Sequence, residues 1–136
     1  LIDEAMKLIK KHEGYEQFPY KDSVGKLTIG YGRNLEDKGI TKKEAEFLLE
    51  NDIYNAIFDL MDIFKDFYSY PDNVKLALID MMFNLGKTRF LTFKKMIAAI
   101  KNKDWSKASY EAQSSKWCRQ VGSRCKDIAK LIEREK

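Results

Sequence analysis

The chain is poor in the residues that most often announce a chemistry. It has one histidine, His12, and two cysteines, Cys118 and Cys125, in 136 residues. A single imidazole and two distant thiols do not make a zinc site, and two cysteines are no disulfide framework. No metal and no cofactor are therefore expected. A serine triad needs a histidine base, and no nucleophile-elbow pattern accompanies His12, which reads as a surface residue. Long apolar runs are missing as well. Nothing approaches the roughly 20 residues that span a bilayer, so no membrane insertion is expected. Leu1 to Lys11 is charged throughout and has no signal-peptide core. The first residue is not methionine, so a removed leader stays open. There is no internal repeat, low-complexity tract or flexible linker.

The two cysteines are seven positions apart. On a continuous helix, at about 1.5 Å rise per residue, that spacing puts the Cα atoms roughly 10 Å apart, beyond disulfide reach. Gly122 lies between them, and a helix break there would allow a bridge. Two free thiols are the expectation.

What is present describes a folded, mainly helical protein. A hydrophobic share of 44% with 12% aromatics suits a globular domain and excludes a disordered chain. Lysine and arginine exceed acids by 25 to 21, a mild excess that favours polyanionic surfaces without choosing among them. Ile2, Ala5, Met6 and Ile9 recur at helical spacing, which predicts a helix over 2–12 closed by Gly14. Pro19, the turn-like Asp22-Ser23-Val24-Gly25 and the alternating Leu27-Thr28-Ile29-Gly30-Tyr31 predict a small antiparallel sheet.

From Thr41 the pattern is helical. Thr41 and Glu44 form a capping box, followed by an apolar face of Ala45, Leu48, Leu49, Ile53, Ala56, Ile57 and Leu60. Pro71 opens a further helix through Val74, Leu78 and Met81, which Gly86 ends. More helices are expected at about 90–101, 104–119 and 123–134, with Asp104 and Ser123 as N-caps. The fold class is α+β, mainly α. One domain over 1–136 is expected: a helix at 1–13, a small β lobe at about 15–40, and a helical bundle lobe at about 41–136, with a cleft between the lobes.

Glu13 stands at the carbonyl end of a helix, where the dipole disfavours a carboxylate by some tenths to about 1 kcal/mol. That field, helped by burial against the sheet, favours the protonated form a glycosidase acid requires. Taken alone, such a glutamate reads more readily as an exposed residue at a frayed helix end. Asp22 can be an ordinary turn aspartate or a second carboxylate across a groove, activating water or attacking the sugar according to the separation. Thr28 suits a strand, and its hydroxyl also suits holding a water.

Together, Glu13, Asp22 and Thr28 change the odds. Eight residues separate the first pair and five the second, and a Thr-Ile-Gly-Tyr-Gly strand carries the threonine. This ordered set resembles the active-site signature of the phage-type lysozymes, glycoside hydrolase family 24. The likeness takes in His12-Glu13-Gly14 and Tyr20-Lys21-Asp22. More weakly it extends to Ile79–Gly86, to Ser115-Lys116-Trp117 and to Arg124. It implies a lysozyme-like fold and a muramidase cutting the β-1,4 bond between N-acetylmuramic acid and N-acetylglucosamine. It further implies Glu13 as general acid, Asp22 engaging water or the sugar cation, and Thr28 positioning water. Phe83 would line the cleft, and Asn84 and Arg124 would support the acid. The partner would be peptidoglycan glycan strands, met by a monomer made in a bacterial host's cytoplasm and acting on the wall after release.

Some positions depart from the family pattern. Arg33 follows Gly32 where some members carry histidine. The segment from Asn34 to Ile40 is short, so the sheet lobe should be small, and His12 replaces an acid that would pair with Arg124. Gly30-Tyr31-Gly32 lacks the third glycine of a nucleotide loop and reads as a turn or a close backbone approach. Phe58, Phe64, Phe67, Tyr68 and Tyr70 read as half-buried packing rather than a sugar platform, and Trp105 and Trp117 as core. Two other functions fit less well. A basic helical nucleic-acid-binding module needs a continuous cationic stripe, and the lysines here are scattered among acids. A lytic transglycosylase needs the glutamate but not Asp22 and Thr28.

Overall fold

Ile2–Glu13 forms the first helix, α1, and Gly14, at φ 71°, ends it by donating its N–H to Lys10 O. The chain then forms a sheet with the order β1-β2-β3, from Glu16–Lys21, Leu27–Gly30 and Arg33–Asn34. Both pairings are antiparallel. Tyr20 faces Thr28 and Lys21 faces Leu27, a bulge lies between Glu16 and Tyr20, and Thr28 in turn faces Asn34. A short helix, α2 (Leu35–Lys38), follows at once, capped by Asn34, whose side chain accepts from Asp37 N–H. The Glu36 carboxylate accepts the Leu27 amide at 2.9 Å and ties α2 to β2.

The capping box at Thr41 forms as expected. Glu44 N–H donates to Thr41 Oγ1 at 3.1 Å, and Thr41 N–H donates to Glu44 Oε1 at 2.9 Å. It starts α3 (Lys42–Ile63). The computed structural model describes residues 1–134, and the chain divides into two compact units, Leu1–Phe47 and Leu48–Lys136.

The core of the second unit begins at Ala56. Leu60, Phe64 and Phe67 join Val74, Leu78, Met81 and Met82 of α4 (Asp72–Leu85), with Phe90, Met96, Ile100, Ile128 and Ile132 from later helices. Because the core begins there, Leu48 and Leu49 stay exposed although they sit on the expected apolar face. The aromatic group divides: Phe64, Phe67 and Tyr70 are buried edge to face, whereas Phe58 and Tyr68 are exposed. Trp105 and Trp117 are core residues, as expected.

Three expected helices are interrupted or differently capped. The stretch 90–101 is two pieces, α5 (Lys87–Phe90) and α6 (Lys94–Lys101), because the Thr92 hydroxyl turns back to Arg89 O. The stretch 104–119 breaks at adjacent serines into α7 (Trp105–Gln113) and α8 (Lys116–Val121). The Ser114 and Ser115 hydroxyls donate to the carbonyls of Tyr110 and Ala112, and Ser115 also caps α8 by accepting from Cys118 N–H. Such local bonds compete with helix continuation. Asp104 caps α7 through Lys107 N–H, but Ser123 is the first residue of α9 (Ser123–Glu133) and gives no side-chain cap.

The expectation of free thiols is overturned. Gly122, at φ 58°, separates α8 from α9 and brings the Cα atoms of Cys118 and Cys125 to 5.0 Å, where they form a disulfide. The helix is not continuous there, because a positive-φ backbone that only glycine adopts cheaply turns the chain between the two cysteines.

Candidate active site

The hairpin between β1 and β2 fixes two of the three sequence-predicted residues. Asp22 N–H donates to Lys26 O and Gly25 N–H to Asp22 O, closing the turn. The Asp22 side chain then braces it: Oδ1 accepts the amides of Val24 at 3.0 Å and Lys26 at 2.8 Å. Both of these bonds fall on Oδ1, and Oδ2 takes part in neither. Thr28 is 3% exposed. Its hydroxyl donates to Lys26 O at 2.9 Å, so the proton is spent and the lone pairs remain to accept. The main chain of Lys26 therefore holds both side chains, taking Thr28 at its carbonyl and giving its amide to Asp22.

Glu13 ends α1, and its residue is exposed rather than buried as expected. Its carboxyl group lies on Gly32: a Cβ placed there would stand 2.8 Å from Oε2 and 2.9 Å from Cδ. The turn carrying Gly32 is anchored on either side. The Tyr31 ring meets that of Tyr15 at 5.6 Å, and Lys10 Nζ lies 5.3 Å from its centroid. Arg33 donates from Nη1 and Nη2 to the two oxygens of Glu44 at 2.8 and 2.5 Å, and from Nη1 to Gly39 O. The Arg33 guanidinium, and after it the Thr41 amide, hold the Glu44 carboxyl down at about 2. Gly30-Tyr31-Gly32 is thus both a turn and a close approach. Sequence reasoning missed Lys26, whose part is played by its backbone, and the Arg33–Glu44 pair, which spans eleven positions.

In the second unit the remaining candidates have local partners. Trp117 Nε1 donates to Asn84 Oδ1 at 2.6 Å, and Arg124 pairs with Asp80 through its carboxylate and its carbonyl. Phe83 is exposed and lines a pocket of about 260 Å³ with Asp52, Asn55 and Asp59. A larger pocket, about 680 Å³, has an apolar floor that includes Trp117 and a rim carrying Arg89, Lys94, Lys95 and Lys116 against one acid, Glu111.

The sequence matches the phage lysozyme family over residues 10–136. The chain belongs to that family. It is a lysozyme, a peptidoglycan-lytic enzyme. It is similar to probable T4-type lysozyme 1 of Dictyostelium discoideum, 28% identical with 98% of this chain and 95% of the relative covered. Probable T4-type lysozyme 2 of the same organism is 25% identical over the same shares. A SAR-endolysin of Bacteriophage PS119 is 32% identical over 59% of this chain and 49% of its own length. Among the described residues, no helix of the lysozyme is long and apolar enough to cross a membrane.

Proposed function

We propose that this lysozyme is a muramidase that hydrolyses the β-1,4 bond between N-acetylmuramic acid and N-acetylglucosamine. Glu13 protonates the leaving oxygen. Asp22, through Oδ2, and Thr28, through its free lone pairs, hold the water that attacks the sugar. The observation that carries this reading is the shared grip of Lys26, which sets an acceptor hydroxyl and a carboxylate on one rigid turn. A six-residue strand, β1, lies between Glu13 and Asp22. At about 3.3 Å per residue it sets their backbones well apart. A carboxylate separation of roughly 6.5–9.5 Å, which admits a water, would make the reaction inverting, and one of about 5–5.5 Å retaining. Phe83, with its ring exposed, keeps its reading as a sugar contact. Asn84 and Arg124 act through Trp117 and Asp80 as supports. The enzyme is made in a bacterial host and works on the wall after release. The Cys118–Cys125 bridge supports an oxidising working compartment.

Incubation with purified peptidoglycan, followed by mass spectrometry of the new sugar ends, tests the reaction. Reducing N-acetylmuramic acid ends are expected, whereas anhydro ends would replace the assignment with a lytic transglycosylase. Loss of the general acid costs about 10²–10⁴-fold, so Glu13→Gln should lose at least that much lysis while keeping its melting temperature. Lysis within tenfold of wild type would refute the acid role.

A further inference from the structure

Gly32 has no counterpart among the residues that a glycosidase reaction requires, yet the Glu13 carboxyl group fills the space its side chain would take. We propose that Gly32 is a positioning residue whose missing side chain forms the seat of the Glu13 carboxyl group. The inference rests on the reading of Glu13 as the acid. A Cβ at Gly32 would lie 2.8 Å from Glu13 Oε2, 2.9 Å from Cδ and 3.3 Å from Cγ. Even a favourable C–H···O contact needs about 3.3–3.6 Å, so the carboxyl group would have to withdraw by about half an ångström.

The loop has little freedom to retreat instead. Before Gly32, Tyr31 is held by Tyr15 and Lys10, which flank Glu13 in sequence on the α1 side. After it, Arg33 is locked to Glu44 and Gly39. The displacement therefore falls on the Glu13 side chain. Proton transfer requires the carboxyl group within hydrogen-bond reach of the leaving oxygen, and a displacement near 1 Å costs on the order of 10²-fold in rate.

The fold supplies its own control. Gly30, two residues earlier, has φ +70° against +75° at Gly32, but a Cβ there meets nothing within 4 Å. Gly30→Ala and Gly32→Ala therefore both place an alanine at a positive φ of nearly the same value and differ in the contact with Glu13.

The experiment compares the two variants in melting temperature and in turnover on a soluble glycan oligomer across pH. Gly32→Ala is expected to lower kcat by about tenfold or more with KM within about twofold, as loss of a contact felt in the transition state does. The pH limb set by the acid should move with it. Gly30→Ala should keep kcat within about threefold and leave the pH profile in place. Gly32→Ala should also melt below Gly30→Ala, and that gap should close when both are made in a Glu13→Ala background, a readout independent of activity. Equal kcat for the two alanine variants overturns the inference, and so does a melting gap that survives removal of Glu13. If Glu13→Gln is inactive while the alanine variants turn over equally, only the seat fails. If Glu13→Gln is active, the acid reading fails and the positioning role fails with it, whereas the melting comparison still reports on the contact.

Discussion

Reduction of the Cys118–Cys125 bridge should lower the melting temperature by an amount the loop length fixes. The bridge closes a loop of seven residues. For a loop that short, chain-entropy accounting removes about 8 cal/mol/K from the unfolded ensemble, or about 2.4 kcal/mol at 25 °C. With an unfolding entropy of about 2.1 cal/mol/K per residue over 136 residues, the midpoint should fall by about 8 °C. Two neighbours add a structural reason to expect the full effect. Trp117 and Arg124, each adjacent to one cysteine, hold Asn84 and Asp80 of α4, and the bridge keeps the α8–α9 turn in the shape that lets both reach. Thermal scans with and without a phosphine reductant would read the shift, and a Cys118→Ala/Cys125→Ala variant should start near the lower midpoint and ignore reductant. A reductant-independent midpoint in the wild type, together with two titratable thiols in the unreduced unfolded chain, would refute the reasoning.

Acid should weaken the link between the sheet and α3. Arg33 and the Thr41 amide hold Glu44 at about 2, against an ordinary value of 4.5. Because the folded value is depressed, this stabilisation is complete above about pH 4.5 and is lost as pH falls through about 2. Melting temperatures of wild type and Glu44→Gln should therefore converge between pH 4.5 and 2; a constant gap would show that charge has no part in it. The cationic rim of the larger pocket should contribute to wall affinity. Replacing Lys94, Lys95 and Lys116 by alanine is expected to weaken wall binding at low salt and to flatten its decline past roughly 0.1 M, where the Debye length is about 10 Å. An unchanged salt slope in a sedimentation assay would place the electrostatic contact elsewhere.

Features that depend on near neighbours were legible in the sequence. Gly14 and Gly86 end helices because the next residue needs a backbone that only glycine adopts readily, and the Thr41–Glu44 box closes over one turn. Interruptions were harder. Thr92 and the Ser114-Ser115 pair were visible, but hydroxyl groups break a helix only where their bonds to earlier carbonyls outweigh continuation, which depends on packing. The disulfide hung on one glycine between two helices. For the proposed site, composition and periodicity said little about Glu13, Asp22 or Thr28 separately; their spacing and the likeness to a family carried them. Contacts between distant segments, such as Arg33 with Glu44 or Gly32 with Glu13, leave no periodic trace at all.

The spacing itself has a physical origin in the hairpin. An aspartate that accepts the amide four residues on, and a threonine that donates to that same residue's carbonyl, must stand six positions apart if both are to meet Lys26. Five intervening residues are therefore what this turn requires, and an insertion between Asp22 and Lys26 or between Lys26 and Thr28 would separate the proposed water-handling pair. Glu13 has no such hydrogen-bonded tether to the turn. It sits where α1 ends and touches the sheet at Gly32 through packing alone, so the proposed acid should tolerate change in the chain between it and Asp22 better than the hairpin pair tolerates change within the turn. The two halves of the proposed chemistry thus rest on different physics, one on hydrogen bonds within a few residues and the other on the space a glycine leaves open.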